Sequence, residues 1–167
     1  RAYVPAADRA SADATVAARC AIVAVPPNVA GSIRYAPVLP AWRMRMAQAL
    51  SQGSINKILA VYETPFWREE GLSAQGFAPY ELVREIYDNS PPSASAGVLC
   101  TFLAGENAER AGRLSAQDRR REVLEGMAKY VGPGAEKPVD YIETDWSGQE
   151  WTRGAYGTSF GPGGLTR

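Results

Sequence analysis

Lys57 lies within the strand-like, mostly apolar run Ile55-Asn-Lys-Ile-Leu-Ala-Val-Tyr62 and is a candidate for chemistry only if it is buried. A lysine in a strand-like run either points to solvent on an alternating face or is buried with a partner, and only the second leaves a charge inside a site. Glu85 stands beside Arg84 near the end of another strand-like segment, where an exposed ion pair is the plain explanation. Trp146, Trp151, Tyr156 and Phe160 gather near the C-terminal end, and core packing is the ordinary fate of such aromatics. Cys20 and Cys100 both lie in apolar runs, so both are expected buried and unpaired, small hydrophobes of a cytoplasmic protein. The sequence contains no histidine. That removes Ser-His-Asp and Cys-His catalysis together with the commonest transition-metal ligand, so no metal site is expected.

The glycine-rich stretches do not make a phosphate loop. Gly132-Pro-Gly134 follows a helix instead of a strand, and Gly161-Pro-Gly-Gly164 has no Lys-Ser or Lys-Thr after it. Lys plus Arg and Asp plus Glu both number 18, so no net field draws the molecule to nucleic acid or an anionic membrane. No apolar run approaches the roughly 20 residues of a membrane span. With 46% apolar and 22% charged residues, the composition is that of a folded globular chain. The opening Arg1-Ala-Tyr-Val-Pro5 has neither a starting Met nor the pattern of a signal peptide, and reads as part of something longer.

Several elements must position these residues. Ala21-Ile-Val-Ala-Val25, closed by Pro26-Pro27, has the pattern of a strand buried on both faces of a parallel sheet. Residues 1–18 suggest a strand end or loop. Ala41 to Leu50 is expected to be a helix with Pro40 in its first turn and Gly53 just beyond its end. Ser54 to Glu63 is expected to be a strand. Tyr80–Tyr87 and Gly97–Leu103 read as an antiparallel pair joined by the turn Asp88-Asn-Ser-Pro-Pro-Ser93. Ser115 caps a helix on which Val123, Leu124, Met127 and Val131 share one face and Arg119, Arg120 and Arg121 form a solvated one; Gly132 stops it. Val139 to Trp146 is the last clear strand, before a glycine-rich tail from Gly154 to Leu165. The expected class is α+β with a mostly antiparallel sheet and flanking helices.

Eight motifs occur in order: Ala21-Ile-Val-Ala-Val-Pro-Pro27, Pro37-x-Leu39-Pro40, Gly53-Ser-x-x-Lys57, Pro65-Phe-Trp67, Tyr87-Asp-Asn-Ser-Pro-Pro92, Asp145-Trp146, Trp151-Thr-Arg-Gly-Ala-Tyr156 and Phe160-x-Pro-Gly-Gly-Leu-Thr166. The series resembles the flavin-containing monoamine oxidase family in its bacterial, putrescine-oxidising branch. The resemblance implies that residues 1–35 and 150–167 belong to a Rossmann-type FAD-binding domain and residues 36–149 to a substrate-binding domain with an antiparallel sheet. It also implies that the Gly-x-Gly-x-x-Gly unit for the FAD pyrophosphate and a C-terminal stretch lie outside this sequence, so the chain alone is expected to be inactive.

Residue by residue, the resemblance assigns Lys57 to the lysine that holds a water against the flavin, and Tyr156 to the first tyrosine of the aromatic cage that orients the substrate nitrogen. Trp146 and Trp151 fall near the flavin. Ala155 stands where animal relatives carry the cysteine bonded to it, which implies non-covalent FAD. Glu85 matches a pocket carboxylate for the far ammonium of a diamine. Tyr87 joins it as a substrate-binding residue and would help hold a carboxylate were the substrate an amino acid. The implied reaction converts a primary amine, dioxygen and water to aldehyde, ammonia and hydrogen peroxide, the aldehyde and ammonia coming from hydrolysis of the released imine. The partners implied are the rest of the flavin domain and, in a homodimer, a second copy. The alternatives are an L-amino-acid oxidase of the same superfamily and a fragment or subunit with no catalytic role.

Overall fold

Alternation decides the central strand. In β2 (Ile55–Tyr62) the residues Asn56, Ile58, Ala60 and Tyr62 are buried, while Ile55, Lys57, Leu59 and Val61 are only half-buried on the opposite face. The structure, a computed structural model, describes residues 15–161. Around β2 it forms a five-stranded sheet in the order β3-β4-β5-β2-β6, from β3 (Gly76–Phe77), β4 (Glu85–Asp88), β5 (Gly97–Ala104) and β6 (Asp140–Asp145). Each of its pairings is antiparallel. A separate two-stranded sheet joins β1 (Leu50–Gln52) to β7 (Thr158–Phe160). Helices α1 (Pro27–Ala30), α2 (Ala41–Gln48), α3 (Phe66–Glu69), α4 (Glu106–Gly112) and α5 (Ala116–Val131) complete the described elements, with a 3-10 turn at Pro133–Glu136. The α+β class with an antiparallel sheet is the expected one.

One face of the sheet is closed by the longest helix. The Ser115 hydroxyl accepts from the Asp118 amide at 3.1 Å and donates to the Asp118 carboxylate at 2.6 Å, which fixes the start of α5. Val123, Leu124, Met127 and Val131 then join Ile58, Leu99, Leu103, Ile86 and Trp67 in a single core. Each such side chain contributes about 1.5–3 kcal/mol on burial. Gly126 lets α5 approach closely, because a Cβ there would lie 2.7 Å from Val83 Cγ2. Gly132, at φ +86°, ends the helix as expected.

The charged groups that link helix and sheet on this closed face are paired, although the buried Tyr141 hydroxyl, opposite Ala60 on the same face, has no described partner. Arg119 Nε donates to Glu143 at 2.6 Å, and its Nη1 reaches the carbonyls of Ala111 and Leu114. Asn56 also donates to Glu143. The expectation that Arg119, Arg120 and Arg121 form one solvated face is therefore corrected. Arg119 retains only 19% side-chain exposure and acts as a staple between helix and sheet, while Arg120 lies over the Tyr141 ring at 5.2 Å. Three consecutive helix positions cover about 200° of arc, so they cannot all face water on a helix packed along one side.

Other expectations change too. Ala21 to Val25 is not a strand: no described strand lies beside it, and Ile22 is 93% exposed. A run of this kind needs neighbours on both edges to pair its backbone. Cys20, next to it, is exposed for the same reason, whereas Cys100 is buried as expected. The strand read from Tyr80 shortens to β4, because Asn107 Nδ2 takes the carbonyls of Glu81 and Leu82 and turns that stretch toward α4. Pro40 is the N-cap of α2 instead of a first-turn residue, and β1 intervenes before Gly53. The expectations for residues 1–14 and for Pro162 onward, including most of the last motif, lie outside the described residues. No helix among the described residues is long and apolar enough to cross a membrane.

Candidate functional site

The other face of the sheet carries the residues singled out in sequence. Register sets them side by side: Lys57 lies opposite Phe102 on β5 and Thr144 on β6, Leu59 opposite Cys100, and Cys100 opposite Tyr87 on β4. Because side chains alternate along a strand, Lys57 and Leu59, Phe102 and Cys100, and Tyr87 and Glu85 all project to this face. The ammonium of Lys57 sits 5.9 Å from the centre of the Phe102 ring. A cation over an aromatic face is stabilised by about 0.5–1 kcal/mol where water still reaches it. Among the described residues Lys57 takes part in no ion pair.

Tyr156 reaches this face from the C-terminal segment. Gly53 and the segment Gly154–Gly157 run against each other: the Ala155 amide donates to the Gly53 carbonyl at 2.9 Å, and the Gly53 amide to the Gly157 carbonyl at 3.0 Å. A Cβ at Gly53 would come within 2.5 Å of the Ala155 carbonyl oxygen, and Gly154 has φ +134°, so both glycines are required by the close approach. The result tucks Ala155 inside and leaves Tyr156 60% exposed, its ring 5.9 Å from Phe102 in an edge-on arrangement. Trp146 follows β6. Its amide donates to the Ile55 carbonyl at 3.2 Å, and its own carbonyl accepts from the Gly154 amide at 2.8 Å. Its ring lies 6.4 Å from Tyr156, and its indole Nε1 is buried with no hydrogen-bond partner.

At the far side, the Tyr87 hydroxyl donates to Glu85 Oε2 at 3.0 Å, and the Tyr87 ring meets Phe102 at 6.3 Å. Accepting that bond, Glu85 raises the pKa of Tyr87, so Tyr87 stays protonated and remains the donor. The ion pair of Glu85 with Arg84 does not form. Burial pushes the pKa of the Cys100 thiol up despite the nearby Lys57 charge, so Cys100 is a neutral part of the floor. Together these contacts form a continuous row, Tyr87, Phe102, Tyr156 and Trp146, with a carboxylate at one end and an ammonium beside its middle. Such a surface can hold an amine by its charge and its alkyl chain at once.

Sequence reasoning missed two parts. Phe102 is the hub of the row, but only the β2–β5 register reveals that it faces Lys57. Asp88 anchors β4: it accepts from Trp67 Nε1 at 2.9 Å, Arg68 Nε at 2.6 Å and the Ser90 amide at 2.9 Å. Burial opposes its ionisation, but these donors outweigh that and hold its carboxyl well below the usual range. The Asp88-Asn-Ser turn signal pointed to this residue without its partners. Trp151 stands apart from the row, 72% exposed on a turn.

Comparison with known proteins shows the family and the fold. Residues 8–166 match the family model described as flavin containing amine oxidoreductase. The putrescine oxidase of Kocuria rosea is 46% identical over 153 residues, covering 92% of this chain and 32% of that protein. An L-amino acid dehydrogenase of Synechocystis sp. is 36% identical over 143 residues, 86% of this chain and 30% of that protein. The solved structure of a putrescine oxidase bound to putrescine superimposes with a TM-score of 0.82 at 49% identity, over 86% of this chain and 32% of that one. The chain thus spans about a third of the length of these relatives.

Proposed function

This chain belongs to the family of flavin-containing amine oxidoreductases, and we propose that the whole protein oxidises a primary amine, a diamine such as putrescine foremost, to aldehyde, ammonia and hydrogen peroxide. The observation that carries this reading is the pairing, on one open sheet face, of the Glu85 carboxylate with the aromatic row that ends at Tyr156 and Trp146. One ammonium of a diamine is held at Glu85, the methylene chain lies along Phe102, and the reacting nitrogen meets the Tyr156 ring. An aliphatic monoamine leaves the carboxylate unpaired and binds less well. A substrate carboxylate at this place would meet Glu85 as a like charge, which weighs against an amino acid.

The residues present fit a flavin. Trp146 keeps a buried indole N–H without a partner, Tyr156 presents an exposed ring, and the Lys57 ammonium has no described hydrogen bond that would withhold it. Trp146, Tyr156 and the Ala155 segment would border the ring system, and Ala155 offers only a methyl group, so no covalent bond forms there. A bound FAD would supply the redox chemistry, hydride acceptance and reoxidation by dioxygen. Lys57 holds a water at the reaction centre, Tyr156 orients the amine, and Glu85 fixes the register of the chain. Residues 1–35 and 150–167 form part of the flavin domain and 36–149 the substrate domain, with the exposed run Ala21–Val25 covered by the rest of the former. A cytoplasmic location belongs to the same reading.

The test is direct. Full-length protein with FAD should release peroxide from 1,4-diaminobutane with a kcat/KM at least tenfold above that for butylamine. A protein that prefers the monoamine, or oxidises neither, contradicts the reading.

A further inference from the structure

The Glu85 carboxylate is held by very little of its own strand. β4 is four residues long, and its pairing with β5 covers only Tyr87 with Cys100 and Asp88 with Leu99. On the other side β3 contributes two residues, Gly76 and Phe77. No cation among the described residues pairs with Glu85. A glutamate side chain has three rotatable bonds and loses rotamer entropy when fixed. Left alone on an open face, it would sample several directions.

One described contact fixes it: the 3.0 Å bond from the Tyr87 hydroxyl to Oε2. Tyr87 is suited to that task because its own ring is held, packed on Phe102, which in turn meets Tyr156. A tyrosine has only two side-chain torsions, so a packed ring delivers its hydroxyl to a defined point. The bond occupies Oε2 and leaves Oε1 without a described partner, room for a single ammonium. The same rigid row carries the ring that would meet the reacting nitrogen.

We propose that Tyr87 is a positioning residue that sets the diamine length the site prefers, by fixing Glu85 through its hydroxyl at a constant separation from Tyr156. This rests on the reading of Glu85 as the carboxylate for the far ammonium. Tyr87 does not touch the reacting atoms. Its hydroxyl converts Glu85 from a mobile charge, which accepts any diamine that reaches it, into a fixed one that accepts a narrow range of lengths.

The experiment uses the full-length, FAD-loaded protein and a series of linear diamines from three to seven carbons, with butylamine as the monoamine. Tyr87→Phe keeps the ring on Phe102 and removes only the hydroxyl. It should lower kcat/KM for the best diamine about tenfold, mostly through KM, lower that for butylamine far less, and flatten the dependence on chain length. Tyr87→Leu, which removes the ring as well, should flatten it at least as much. Glu85→Gln separates the two readings. If it leaves the diamine-to-monoamine ratio unchanged, the carboxylate assignment itself fails. If it collapses the ratio while Tyr87→Phe keeps the wild-type length profile, Glu85 stands and the positioning role of Tyr87 is overturned. The double variant Glu85→Gln/Tyr87→Phe should be no worse than Glu85→Gln alone, since the hydroxyl acts only through the carboxylate; additive losses would overturn it too.

Discussion

The two faces of one sheet treat charge in opposite ways. On the closed face Glu143 accepts from Arg119 and Asn56, and Arg119 Nη1 donates to the carbonyls of Ala111 and Leu114. On the open face, among the described residues, Lys57 has no ion-pair partner and lies over the Phe102 ring, and Glu85 accepts from one tyrosine hydroxyl. A buried ion pair whose partners are all satisfied serves the fold, whereas charges left short of partners in a half-buried place are available to a ligand. The same strand, β2, supplies both: Asn56 points to one face and Lys57 to the other.

If this division is right, substitutions on the two faces should damage different quantities. The largest stability effect belongs to Arg119→Met, which strands the 14%-exposed Glu143 carboxylate; it should destabilise the full-length protein by about 3 kcal/mol in urea denaturation. Lys57→Met should cost little stability but lower kcat/KM roughly a hundredfold, as loss of one oriented donor does in a preorganised site. Asp88 tests the boundary, since it joins α3 on the core side to β4 under the site. Asp88→Asn should cost roughly 2 kcal/mol, because charge-assisted bonds from Trp67 and Arg68 weaken.

Asp88 also gives a pH signature. Its folded pKa is depressed below the ordinary value of 3.8, so its contribution is fully present above that value and is lost as pH falls below it. The urea midpoint of Asp88→Asn should therefore fall less steeply than that of the parent protein below about pH 4, near where an ordinary aspartate titrates. Smallest is Ser115→Ala, which removes the α5 cap and should cost about 1 kcal/mol with no change in amine preference.

Local features carried most of what the sequence revealed. The Ser115 cap, the 3.6-residue spacing of Val123, Leu124, Met127 and Val131, and the alternation around Lys57 each depend on neighbours in sequence, and the structure has them where expected. What was hidden depends on distant pairing. Phe102 faces Lys57 only through the β2–β5 register, Arg119 turns inward only because Glu143 lies 24 positions away, and Tyr156 reaches the sheet only because Gly53 admits the Ala155 backbone. Ala21–Val25 misled for a related reason: its composition reports a burial that these residues do not themselves provide. The ordered motifs pointed to the family without any of this, while the geometry of Glu85 with Tyr87 came from the structure alone.

One pair of numbers tests the division of the two faces most directly: the ratio of kcat/KM for 1,4-diaminobutane to that for butylamine in Glu85→Gln, with the urea midpoint of the same sample. The ratio should fall at least tenfold while the midpoint stays within error of the parent protein. An unchanged ratio, or a ratio that falls only together with the midpoint, would contradict the assignment of the open face to amine recognition.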